Sequence, residues 1–240
     1  MELYFSGYID QLNSFPLPEE EARHLIKVLR HQSGDRIILT DGSGNYFKAI
    51  IESISSKKCI VKVEHALPQP DRRNYQLHLA VAPPKNNERF EWFLEKATEI
   101  GIDEITPILC RHSERKELKL ERMNKILISA LKQSWNGKLP QLNSMIEYDK
   151  LISSGFTGTR YICTMEAEKK LSDCYHPGEN ALVMIGPEGD FHATEIEHAI
   201  QSGFIPVSLG NSRLRTETAA LLVCAILSTI NQSTHFVSGK

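Results

Sequence analysis

Apolar residues recur along this chain in two rhythms, and the rhythm changes near residue 70. In residues 19–31, Ala22, Leu25, Ile26 and Leu29 share one face at helical spacing. Three glutamates open this stretch and Arg30 and His31 close it, an order that complements the helix dipole at both ends and predicts a helix over 19–31. RIILT (36–40) and NYFKAIIESI (45–54) flank the turn residues DGSG (41–44), a hairpin signal, and KKCIVKVEH (57–65) supplies a further strand. Leu67-Pro68-Gln69-Pro70-Asp71 then breaks the pattern, which places a domain boundary there and divides the chain into 1–70 and 71–240.

Beyond the break, strands alternate with helices. YQLHLAVA (75–82) reads as a buried strand, and Glu88 to Ile100 as a helix that turns Phe90, Phe93, Leu94, Ala97 and Ile100 inward and stops at Gly101. EITPILC (104–110) is a strand, and Leu120, Met123, Leu127, Ala130 and Leu131 stripe a second helix. RYICTM (160–165) and ALVMIG (181–186) are two more apolar strands. Thr194 with Glu197 predicts a capping box for a short helix ending at Gly203. FIPVSLG (204–210) is the last strand, followed by an apolar helix from about Glu217 to Asn231. This alternation predicts an α/β fold with a parallel sheet and helices on its faces.

Composition narrows the class. The 240 residues are 41% hydrophobic and 24% charged, as in an ordinary globular protein, and no apolar run approaches the roughly 20 residues of a spanning helix. MELYFSGYID lacks the basic end and apolar stretch of a secretory signal. Five scattered cysteines without a C-x-x-C pair point to reduced thiols in a cytoplasm and to no zinc site. The nine histidines form no metal-ligand spacing such as H-E-x-x-H. Net charge is −2, and none of the segments 1–70, 71–125 and 126–240 departs from neutrality by more than two charges. Any nucleic-acid binding must therefore use local patches.

Two loops carry the candidate chemistry: Gly186-Pro187-Glu188-Gly189-Asp190-Phe191, and Leu209-Gly210-Asn211-Ser212-Arg213-Leu214-Arg215-Thr216-Glu217-Thr218. Both follow predicted parallel strands, at the carboxyl ends where open α/β sheets bind ligands. Glycines allow close backbone approach, and the helix start at Thr216 offers free N–H groups. Either loop alone reads better as a plain turn, with Thr216 merely an N-cap; two of them on neighbouring strands reverse that preference and favour a binding site. Neither loop is a G-x-G-x-x-G or Walker sequence, and there is no G-x-S-x-G elbow.

GPEGDF followed by SLGNSRLRTETAAL resembles the paired C-terminal motifs of the SPOUT class of methyltransferases, and more narrowly the RsmE-type enzymes that methylate N3 of a uridine in small-subunit ribosomal RNA. HLIKVLRHQSGDRIILTDGSG resembles that family's N-terminal PUA-like RNA-binding β-barrel, and EWFLEKATEIGIDEITPI its first catalytic-domain helix and second strand. LRTETA is the most specific segment. Two departures stand out. Asp190 occupies the place of a second glycine, and Trp135-Asn136-Gly137-Lys138 follows Gln133 and Ser134 where the family continues to an arginine, a role open to Lys138.

The resemblance implies a SPOUT-type parallel sheet with a C-terminal trefoil knot over 71–240, a PUA-like barrel over 1–70, and a homodimer with active sites at the subunit interface. It implies S-adenosylmethionine as cofactor, held by Thr164, Met165, Ile185, Gly186, Pro187, Glu188, Gly189, Leu209, Gly210, Leu214 and Thr216, with no metal. The partner it implies is 16S ribosomal RNA within the small subunit, in the cytoplasm and away from membranes. Arg215 is the expected catalytic residue, its guanidinium stabilising the charge left on uracil O2 and O4 when N3 loses its proton. Arg213 is the alternative, and a structural reading pairs Arg215 with Glu217. Glu188, Asp190, Glu217 and bulk water stay open as the base; Lys96 and Glu99 read as a structural pair or an RNA contact. Arg23, Lys27 and Arg30 form a basic stripe on the predicted first helix, which by itself reads equally as a solvated surface or as phosphate contacts. With Arg72, Lys85 and Arg111, and with Arg73, Arg115 and Lys116 extending the track, they are the RNA-binding candidates. Two other classes remain: an inactive RNA-binding protein that retains the SPOUT fold, disfavoured by the intact LRTET, and a small-metabolite α/β enzyme, which leaves the N-terminal unit unexplained.

Overall fold

The period-two stretches near the start of the chain are strands in the structure, a computed structural model that describes residues 2–68, 73 and 75–235. β1 (Leu3–Phe5), β2 (Phe15–Pro16), α1 (Glu19–Lys27), β3 (Arg36–Thr40), β4 (Tyr46–Ile54) and β5 (Cys59–Ala66) build a five-stranded sheet in the order β1-β3-β4-β5-β2, antiparallel except where β1 joins β3. Alternation decides which face is inside. Phe47, Ala49 and Ile51 of β4 and Cys59, Val61 and Val63 of β5 form one core with Ala22 and Leu25 of α1.

α1 is shorter than the expected 19–31. It stops at Lys27, Arg30 takes φ +58, and the Asp35 carboxylate holds Gln32 N and His31 Nδ1 at 2.9 Å each, which turns the chain toward β3. Arg30 therefore leaves the helix and does not continue a stripe with Arg23 and Lys27. The expected boundary at Pro70–Asp71 lies outside the described residues. The chain divides into two units, Met1–Arg72 with Ile128–Leu139, and Arg73–Leu127 with Pro140–Lys240.

The second unit runs β6 (Leu77–Val81), α2 (Asn87–Ile100), β7 (Glu104–Leu109), α3 (Leu120–Ser134, whose last turns belong to the first unit), β8 (Gln141–Leu142), β9 (Ile146–Glu147), α4 (Tyr148–Ile152), β10 (Thr159–Cys163), α5 (Leu171–Cys174), β11 (Ala181–Ile185), α6 (Ala193–Gln201), β12 (Ile205–Val207) and α7 (Thr216–His235). The sheet order is β12-β10-β11-β6-β7-β8, with β9 also on β7, and every pairing is parallel. Every residue of β6 and β11 is buried, as befits central strands covered on both faces. α7 packs on α2, β6 and β11, while residues of α4 and α6 pack with Ala80, Ile162, Leu182 and Met184 on the other face.

Two local expectations change. The capping box of α6 uses His192 and Glu195, not Thr194 and Glu197: His192 Nδ1 accepts from Thr194 N, and Glu195 Oε2 from His192 N. Thr194 already lies inside the helix. Thr216 is the first residue of α7 rather than a cap before it. The elements not expected (β1, β2, β8, β9, α4, α5) are two to five residues long, too short to show a period.

Candidate active site

Three segments leave the carboxyl ends of neighbouring strands and meet. After β10 come Thr164 and Met165; Thr164 N bonds to Val207 O at 3.0 Å and the residue is buried. After β11, the Gly186–Phe191 turn closes through Asp190 N to Pro187 O at 2.9 Å, with Asp190 at φ +63. Asp190 thus adopts the left-handed backbone for which the family resemblance would place a glycine. Phe191 folds back under Gly186, where an added Cβ would stand 3.0 Å from its ring. After β12, Gly210 takes φ +122, a conformation that needs glycine. The Thr216 hydroxyl then donates to Gly186 O at 3.0 Å and ties the third segment to the second.

These segments line a cleft of about 310 Å³. Of the residues expected to hold the cofactor, Thr164, Met165, Ile185, Gly186, Pro187, Glu188, Leu209, Gly210, Leu214 and Thr216 line this cleft. Gly189 does not; it lies over His112, whose Cβ would be 3.3 Å from a Cβ at 189. Cys163, Asp190, Ser212, Arg213 and Ala219 line it as well. Ala219 was readable in principle, since it follows Thr216 by three residues and so shares its helix face. Aliphatic residues (Met165, Ile185, Leu209, Leu214) share the walls with polar ones (Thr164, Ser212, Thr216), and the carboxylates of Glu188 and Asp190 and the guanidinium of Arg213 are the charged groups. Burial, with the Asp190 carboxylate nearby, pushes the Cys163 thiol up to about 12, so it stays protonated at neutral pH and is a weak nucleophile inside the cleft.

Arg215 is exposed at the mouth of α7 and makes no ion pair with a described residue. The alternative pairing with Glu217 is not formed: Glu217 is 6% exposed, and its Oε1 faces Arg89 Nε at 3.7 Å. Glu217 is also absent from the cleft lining. Lys96 sits between Glu95 (2.7 Å) and Glu99 (2.9 Å), a surface ion-pair group. Among the RNA-binding candidates, Arg23, Lys27, Arg30, Lys85 and Arg111 are exposed. Arg23 bonds Glu19 at 2.9 Å, Lys85 pairs with Glu114 at 2.8 Å, and Arg111 reaches the His192 ring at 3.1 Å. Arg72 lies outside the described residues. Arg73 is turned inward onto the buried Asp103 at 2.9 Å. Among the described residues no cluster of three or more His, Cys, Asp or Glu is placed to hold a metal, and no helix is long and apolar enough to cross a membrane.

Residues 71–228 match the model of the RNA methyltransferase domain, and residues 17–64 that of the RNA methyltransferase PUA domain. The chain belongs to the RNA methyltransferase family. The cleft lies within the matched catalytic segment, and the β-rich first unit contains the matched PUA segment. The chain is 25% identical over 258 residues to ribosomal RNA small subunit methyltransferase E of Bacillus subtilis, an alignment covering 100% of this chain and 99% of that protein. Among solved structures, it resembles a probable rRNA-methyltransferase from Porphyromonas gingivalis with a TM-score of 0.90 and 41% identity, covering 98% of this chain and 100% of that one. It also resembles ribosomal RNA small subunit methyltransferase E from Neisseria gonorrhoeae bound to S-adenosyl methionine, with a TM-score of 0.85 and 28% identity over 96% of this chain and 98% of the other.

Proposed function

We propose that this enzyme transfers a methyl group from S-adenosylmethionine to N3 of a uridine in 16S ribosomal RNA of the small subunit, in the cytoplasm. The observation that carries this reading is the convergence of three strand-end segments on one cleft. The residues present fit the cofactor. The aliphatic side chains of Ile185, Leu209 and Leu214 suit an adenine and ribose, and backbone groups at Gly186, Leu209 and Leu214 can meet them. Carboxylates at Glu188 and Asp190 with a guanidinium at Arg213 complement a ligand that carries both a cation and a carboxylate. Bound there, S-adenosylmethionine supplies an electrophilic methyl.

The chain must then orient uracil N3 toward that methyl and help its proton leave. Loss of the proton spreads negative charge onto O2 and O4, and the exposed guanidinium of Arg215, beside the cleft-lining Leu214 and Thr216, is the group to stabilise it. Glu217 faces Arg89 outside the cleft, which leaves Glu188, Asp190 or solvent to take the proton. The finer architecture belongs to the same proposal: a trefoil knot, in which the β12–α7 segment passes through the β10–β11 connection. It is supported by Ser208, which bonds Lys169 O and accepts from Leu171 N, and by α7, which packs on α5 from that connection and on β6 and β11. A homodimer and RNA contacts by the candidates Arg23, Lys27, Arg30, Arg72, Lys85 and Arg111 belong to the same proposal.

Labelled-methyl transfer to small ribosomal subunits, with mass spectrometry of the modified nucleoside, tests the activity and the N3 position. Arg215→Ala is expected to lower turnover at least about tenfold while calorimetric cofactor affinity is retained. Arg213→Ala is expected to weaken cofactor affinity. Wild-type turnover in Arg215→Ala would remove that residue from the mechanism, and no labelling of any ribosomal RNA by the wild-type protein would overturn the reading.

A further inference from the structure

The Gly186–Asp190 turn is held from outside by a segment that contributes nothing to the cleft lining. Directly after β7, Cys110 and Ser113 close a tight turn: Ser113 N bonds Cys110 O, and Cys110 N bonds Ser113 Oγ, both at 3.0 Å. The segment is anchored to α6, because Arg111 N donates to Glu195 Oε1 at 2.9 Å while Glu195 Oε2 accepts from His192 N. From this base two side chains reach toward the turn.

His112 Nδ1 stands 3.0 Å from Asp190 O. A carbonyl oxygen only accepts, so Nδ1 carries the proton and the tautomer is set by the contact. The ring also lies beneath Gly189 and meets His192 edge-on at 5.7 Å between centroids. Arg115 works at the other end of the turn. Its Nε donates to Pro84 O at 3.1 Å and its Nη2 to Lys85 O, and Lys85 N in turn donates to Glu188 Oε1 at 3.2 Å. Glu188 and Asp190 line the cleft; His112 and Arg115 do not.

The geometry points to His112 and Arg115 as positioning residues for the cofactor turn, one fixing the carbonyl of left-handed Asp190 and the other the loop that orients Glu188. This rests on the cleft being the cofactor site. Arg115 is thereby directed at the protein's own backbone, in contrast to its expected place on an RNA track. A histidine serves because it offers one N–H donor at the distance of its first ring nitrogen, a position that the side-chain amide of asparagine can also occupy. Alanine offers none.

Amide hydrogen exchange in the ligand-free protein tests the clamp apart from any cofactor. His112→Ala should speed exchange at Asp190 N, which closes the turn, about tenfold, and His112→Asn should return it to within about threefold, the scale of one net hydrogen bond. Unchanged exchange in His112→Ala, or equal acceleration in both variants, overturns the proposal. In methyl transfer, His112→Ala and Arg115→Ala should raise KM for S-adenosylmethionine about tenfold and leave kcat within about twofold; a loss confined to kcat overturns it. Should the wild-type protein bind no S-adenosylmethionine while exchange follows the expected order, the methyltransferase reading fails and the clamp stands.

Discussion

His78 shows what one buried polar residue costs and requires. It lies 7% exposed on β6, with Nε2 2.7 Å from Thr106 Oγ1 and 3.8 Å from Glu104 Oε1. Burial lowers its pKa below the ordinary 6.5, and the Glu104 carboxylate offsets part of that effect. The unfolded chain therefore takes up a proton that the folded chain refuses. The resulting stability is present above about pH 6.5 and is lost as pH falls toward the depressed folded value. His78→Gln should flatten the acid side of the stability curve below about pH 6.5, with a difference in slope of at most about 1.4 kcal/mol per pH unit. Urea denaturation at several pH values checks this, and parallel curves for the two proteins would contradict it.

At the scale of elements, turns decide where the chemistry sits. The Gly186–Phe191 turn combines a glycine packed tightly against the Phe191 ring with an aspartate at φ +63, whose Oδ1 accepts from Phe191 N at 2.7 Å. Asp190→Gly should keep stability within about 0.5 kcal/mol, because relief of the left-handed backbone offsets that lost contact. Asp190→Val should cost at least about 1 kcal/mol, since a β-branched residue fits that region poorly. Guanidinium denaturation separates the two, and an equally stable valine variant would show that the turn does not need this conformation. The turn meets the Leu209–Thr216 segment because β11 and β12 flank β10 in one parallel sheet, so their carboxyl ends open on the same side.

At the scale of the whole molecule, the chain returns to its first unit after leaving it. Ile128–Leu139 belongs there: Lys132 Nζ meets Glu21 Oε1 at 2.7 Å, Thr40 Oγ1 and Gly44 N donate to Gly137 O, and Leu139 N donates to Gly42 O. Gly137 lies so close under Tyr46 that an added Cβ would meet the ring at 2.7 Å. The Glu21 side chain is 7% exposed, so Lys132→Met would strand a buried carboxylate and should cost about 3 kcal/mol. The double variant Glu21→Gln, Lys132→Met should recover most of that loss, as a double-mutant cycle in urea would show. Strict additivity would mean that the pair does not interact. A deletion at residue 70 would likewise strip residues 128–139 of these partners.

The sequence by itself determined what depends on near neighbours. Helical spacing and Gly101 placed α2, alternation placed β4 and β5, and the strand–helix rhythm announced a parallel sheet, because side-chain period and turn chemistry act over a few residues. The loops around Gly186 and Leu214 also held ten of the fifteen described residues that line the cleft. Tertiary structure alone decided that Arg30 leaves its helix for the Asp35 turn, that Gly189 rests on His112 rather than on the cleft, that Arg115 faces inward, and that Ile128–Leu139 rejoins the first unit. Each of these outcomes depends on contacts between residues far apart in sequence or on a local competition between helix and turn. Local pattern carries no information about which distant partner arrives to settle it.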